Sequence, residues 1–162
     1  MAVAAVAPFL VAGLGAAPFD DPGEGMHVEI ARELMQHPAL PLTLNGVPYV
    51  DKPPLLYALL VAAFHALGPG EEAARLISAL AALVAVGATA WLGARLADDR
   101  AGIVAGLALG TSVGFFVYGR YVRPEALFVA ALALGFTLLL LGVTQERRVL
   151  SPRRPDRNAT NA

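Results

Sequence analysis

The feature that most constrains this chain is a set of charge-free runs too long for the surface of a soluble domain. Residues 1–19, 76–94, 101–119 and 126–145 contain no Asp, Glu, Lys or Arg. A helix of about 19 residues is about 28 Å long, close to the ~30 Å hydrocarbon core of a bilayer. A fifth run, 53–70, opens with Pro53-Pro54, contains His65 and closes at Gly68-Pro69-Gly70. Its helical part is nearer about 14 residues, which suits an interfacial or re-entrant segment. Composition agrees: 57% of the 162 residues are hydrophobic and only 15% are charged, against roughly 25% charged in soluble domains. The reading is an all-α membrane protein with about four transmembrane helices and amphipathic interfacial helices in the first external loop.

Charge sets the orientation. Four spans with the N-terminus inside place Arg95, Arg100, Arg147, Arg148, Arg153, Arg154 and Arg157 in the cytoplasm. Arg32, Lys52, Arg75, Arg120 and Arg123 then lie outside. The positive-inside rule favours this count over one in which segment 54–67 also spans. The first run lacks a basic start and holds Pro8, Gly13 and Gly15. It reads as a span rather than a signal peptide, with cleavage near Ala16-Ala17 as the alternative. The expected organisation is a transmembrane part over 1–143 with its external loop at 20–75. A polar, Arg/Pro-rich, disordered cytoplasmic tail over 144–162 follows. A net charge of −1 argues against a nucleic-acid partner, and the lack of cysteine excludes thiolate chemistry. No Walker loop, dinucleotide fingerprint or Ser-His-Asp spacing is present.

Three polar clusters fall on the outer face. The first is Asp20-Asp21-Pro22-Gly23-Glu24, leading into Met26, Ile30 and Leu34 at helical spacing. Asp21 as N-cap, Pro22 at N1 and Glu24 at N3 make a capping-box-like start. Equally, carboxylates at a membrane surface can serve as a general base or hold a metal. The second is Asp51-Lys52-Pro53-Pro54: a turn before a helix, or the chain's one lysine offered to a phosphate with a carboxylate beside it. The third is Gly119-Arg120-Tyr121-Val122-Arg123-Pro124-Glu125. Its arginines either snorkel at the interface or meet an anionic head group. Glu125 either complements a helix start or serves a metal or acceptor. Arg75 either anchors the following span or contacts a phosphate. His27, His37 and His65 have no metal-ligand spacing.

In order, "DDPGEGMHVEIARELM", "LTLNGVPYVDKPPLLYALLVAAFHALG", "EEAARLISAL" and "GRYVRPEAL" resemble the N-terminal part of GT-C polyprenyl-phosphate-sugar glycosyltransferases. The nearest group is the aminoarabinose (lipid A) transferase and protein O-mannosyltransferase-like family, over roughly residues 5–143. The resemblance implies transfer of a hexose or pentose from a polyprenyl-phosphate donor to a lipid, glycan or protein acceptor outside the cell membrane. No organic cofactor is implied; a divalent metal ion is. The family usually places Asp-Glu where this chain has Gly23-Glu24, so the catalytic acid is expected among Glu24, Asp21 and Asp20. Lys52, Arg75, Arg120 and Arg123 are expected to face the donor phosphate, and Asp51 and Glu125 the metal. The alternative is a non-catalytic membrane scaffold that retains these motifs. The family also implies a longer enzyme, of which this chain would form the first third or less.

Overall fold

The computed structural model describes residues 1–20 and 22–150, with side chains up to residue 143. Seven helices account for most of it: α1 (Ala2–Val11), α2 (Gly23–Gln36), α3 (Leu55–Leu67), α4 (Glu71–Leu96), α5 (Asp99–Thr111), α6 (Val113–Gly119) and α7 (Pro124–Leu150). A small hairpin, β1 (Thr43–Leu44) with β2 (Val47–Pro48), joins α2 to α3. Asp21 and residues 151–162 lie outside the described residues, and with them one of the expected acids and most of the expected tail. The backbone of residues 144–150 continues α7.

Among the described residues, two helices are long and apolar enough to cross a membrane, α4 and, over Pro124–Val143, α7. Of the other two expected spans, one is broken and one is short. Helices α5 and α6 are bent by 67° at Ser112. The Thr111 and Ser112 hydroxyls donate to the carbonyls of Leu107 and Leu109, and such back-bonding competes with the helical ladder. Helix α1 ends at Val11, well before Phe19, and Gly13 follows in the left-handed region at φ 69°. Arg120 satisfies the freed helix end, donating from Nη1 to Phe9 O at 2.7 Å and Leu10 O at 3.1 Å.

Close approach holds the bundle together. Gly102, Gly106 and Gly110 recur every four residues along α5. A Cβ at Gly102 would meet Ala90 O at 2.4 Å, and one at Gly110 would meet Val6 Cγ1 at 2.7 Å. Small residues at this spacing let membrane helices touch backbone to backbone.

Helix α2 differs from a helix lying on lipid. Val28 and Ala31 are buried against Leu56, Leu60 and Phe64 of α3, Ala74 of α4 and Val122. The apolar stripe of Met26, Ile30 and Leu34 is covered by Leu42, Leu44, Tyr49 and Tyr57. The covering segment turns back at Asn45 (φ 53°) and Gly46 (φ 76°), the positive-φ pair a tight hairpin favours. Glu33 holds the turn to α2, accepting from the Thr43 hydroxyl and the Gly46 N–H.

Candidate active site

The three polar clusters do converge, around the N-terminus of α2 and the α6–α7 connection. Their side chains divide into two groups, one engaged by the protein itself and one left open.

Glu24 and Arg75 form the engaged group. Glu24 is fully buried and Arg75 is 8% exposed. Glu24 Oε1 accepts from Arg75 Nε at 2.9 Å and from the Val122 N–H at 2.9 Å. Its Oε2 accepts from Arg75 Nη2 at 2.5 Å and from the Asp20 N–H at 3.2 Å. The remaining N–H groups of Arg75 donate to the carbonyls of Leu14, Ala17 and Pro18 at 2.7–2.9 Å. A guanidinium has five N–H donors and a carboxylate about four acceptor sites, so both are saturated. Burial raises the Glu24 pKa, but the Arg75 hydrogen bond and the Val122 and Asp20 N–H groups outweigh it, and the net result lies below the ordinary carboxylate value. An anion held this firmly, with no free lone pair, is a poor proton acceptor. An arginine with no free N–H is a poor phosphate ligand. The capping-box expectation is not met: the N-cap is Pro22, without a side-chain hydrogen bond, and Glu24 instead accepts from the Asp20 N–H, Arg75 and the Val122 N–H.

Arg120 is partly engaged as well, by the end of α1, with its guanidinium 5.4 Å from the Phe116 ring.

The open group contains Asp20, Lys52, Arg123 and Glu125. Asp20 is exposed. Arg123 lies over the rings of Tyr121 (5.6 Å) and Tyr118 (5.9 Å). Its buried Nε has no hydrogen-bond partner. Lys52 Nζ stands 4.0 Å from Glu125 Oε1, both about half-exposed. Such a pair is worth at most about 1 kcal/mol, so it yields readily to a ligand. Lys52 and Glu125 border a groove of about 360 Å³ between α3 and α7 whose walls, among them Leu55, Leu56, Leu127 and Phe128, are almost wholly apolar.

Asp51 is exposed beside Lys52. Among the described residues no three His, Asp or Glu side chains come together, whereas a hard divalent cation takes about six oxygens. Asp51 and Glu125 alone do not supply such a ligand set.

Two further residues belong to the site. His27 is 4% exposed and its Nδ1 lies 3.1 Å from the Tyr57 hydroxyl. Burial depresses its pKa; Glu125 opposes this, and Arg123 and Lys52 add to it. The Asp20 carboxylate beside Tyr121 raises the phenol's pKa. Neither residue carries a spacing signal. His27 matters through chains distant in sequence, and Tyr121 through a neighbour that belongs to another cluster.

This is an all-helical membrane fold. Two crystal structures of ArnT from Cupriavidus metallidurans, one in the apo state and one bound to undecaprenyl phosphate, each superpose with a TM-score of 0.81 at 24% identity. Each match covers 96% of this chain and 27% of that one, so the chain spans about a quarter of that protein's length. No curated protein matches. Residues 51–151 match the dolichyl-phosphate-mannose-protein mannosyltransferase family, and the chain belongs to that family.

Proposed function

We propose that the protein transfers a sugar from a polyprenyl phosphate to a hydroxyl of a lipid, glycan or protein acceptor at the outer face of the cell membrane. The observation that carries this reading is the apolar groove between α3 and α7, whose rim holds Lys52. An isoprenoid chain needs an apolar channel, and its phosphate needs a cation at the channel mouth. The ArnT structure with undecaprenyl phosphate supports a ligand of this chemistry. The arginine bias towards 95–100 and the tail supports an external loop with both termini inside.

In the reaction the Asp20 carboxylate takes the proton of the acceptor hydroxyl as its oxygen bonds the anomeric carbon. The bond from that carbon to the phosphate oxygen breaks, and polyprenyl phosphate leaves with the electron pair. Lys52 and Arg123 stabilise the negative charge that develops there. Asp20 takes this role over Glu24 because its carboxylate is exposed and not saturated.

The test is transfer of radiolabelled sugar from a polyprenyl-phosphate donor by the purified natural protein. Asp20→Asn is expected to reduce kcat by about 10²–10⁴, and Lys52→Ala to raise the donor KM as well. Absence of transfer from any such donor overturns the function. Wild-type rates in Asp20→Asn overturn the choice of base.

A further inference from the structure

Helix α2 opens with a glycine, which costs roughly 0.5–1 kcal/mol relative to alanine in a helix. Gly23 is not needed for its backbone, which is not left-handed. What its missing side chain provides is room. A Cβ on Gly23 would stand 3.0 Å from Asp20 Oδ2, 3.5 Å from Arg123 Nη2 and 3.6 Å from Tyr121 Cε1. Three side chains from two distant segments thus meet over one Cα.

The main chain of Asp20 is fixed at the same time. Its carbonyl accepts from Glu24 N–H at 2.8 Å and Gly25 N–H at 3.1 Å, and its N–H donates to Glu24 Oε2. Glu24 is itself locked to Arg75. Only the Asp20 side chain retains freedom, and it is bounded by the Gly23 surface, against which the Tyr121 ring also lies. Tyr121 in turn carries the Arg123 guanidinium on its ring.

We propose that Gly23 and Tyr121 are positioning residues that fix the Asp20 carboxylate beside Arg123, so that proton acceptor and phosphate-facing cation keep one geometry. This rests on the reading of Asp20 as the base. Gly23 supplies the space; Tyr121 supplies an O–H donor and a stacking surface. The prediction that separates positioning from bulk stability is that a carboxylate carried on residue 23 enters the same space. It should therefore partly replace the one lost from residue 20.

The experiment measures kcat and donor KM for sugar transfer by the natural protein in detergent, with unfolding temperature followed alongside. Gly23→Ala is expected to lower kcat by about 10–100-fold, the scale of an ångström-sized misplacement, with KM within about twofold. Tyr121→Phe keeps the ring under Arg123 and is expected to lower kcat about tenfold. The double variant Asp20→Asn/Gly23→Asp is expected to exceed Asp20→Asn in kcat by about tenfold or more. If Gly23→Ala lowers the unfolding temperature, Tyr121→Phe and the double variant decide. Wild-type kcat in Tyr121→Phe together with no recovery in the double variant overturns the inference while Asp20→Asn remains inactive. Full activity in Asp20→Asn instead removes the reading on which it rests.

Discussion

Two charged groups stand side by side in this molecule and behave in opposite ways. Glu24 and Arg75 meet at 2.5 Å in a buried node where every hydrogen-bonding site is filled. Lys52 and Glu125 meet at 4.0 Å at the mouth of an apolar groove, half in solvent. The first pair ties the loop after α1, the start of α2, the start of α4 and Val122 into one unit. The second pair has unused hydrogen-bonding capacity and little to lose on separation. Charge conspicuous in sequence is thus divided between building the site and serving it, and saturation is the physical quantity that separates the two.

Arg75→Ala tests the engaged pair most severely. Leaving a buried carboxylate without its partner costs about 3–5 kcal/mol, a large part of the stability of an ordinary domain. The expected result is a protein that unfolds many degrees lower in detergent or is cleaved in membranes. Arg75→Lys keeps the charge but cannot reproduce the five-donor fork, so it should recover only part of the loss. A stable Arg75→Ala with a raised donor KM would move Arg75 to the open group.

Lys52→Ala makes the converse test. Removing one donor from a developing anion costs about 10²–10³ in rate, while an exposed pair contributes at most about 1 kcal/mol. Transfer should fall by about that factor with the unfolding temperature nearly unchanged. A fall in stability without a change in rate would reverse the assignment.

The same division explains what was legible in the sequence. The apolar runs announced a helical membrane protein, and the motif order announced the family, because both are local patterns. The break at Ser112 and the end of α1 at Val11 were not legible. They depend on hydroxyls bonding back to the helix and on Arg120 reaching across 110 residues to Leu10 O. Glu24 and Asp20 look alike in a string of acids. Only the position of Arg75, 51 residues away from Glu24, shows that Glu24 is locked in a buried pair, whereas Asp20 is left exposed.

Arg120 lies between the two groups and sharpens the boundary. Its contacts with the α1 carbonyls are charge-assisted, worth about 1.5–3 kcal/mol, and some of its N–H groups remain unused. Arg120→Ala should lower stability by about 2 kcal/mol with the donor KM within about twofold. A larger rise in KM would show that its unused donors reach the phosphate.

The smallest effect expected is on acid stability, and it distinguishes the two groups by pH window. His27, next to the open cluster, has a folded-state pKa below its ordinary 6.5. A depressed pKa means that the folded state favours the neutral ring, so this contribution is complete above pH 6.5 and is lost as pH falls towards the folded value. Glu24 has a folded-state pKa below its ordinary 4.5. Its contribution is complete above that value and is lost only at lower pH, as the carboxylate paired with Arg75 becomes protonated. Unfolding temperature in detergent should therefore decline in two stages on acidification. His27→Gln should remove the first stage and leave the second in place. A single decline confined below pH 4.5 in the wild type would mean that His27 carries no folding-linked proton.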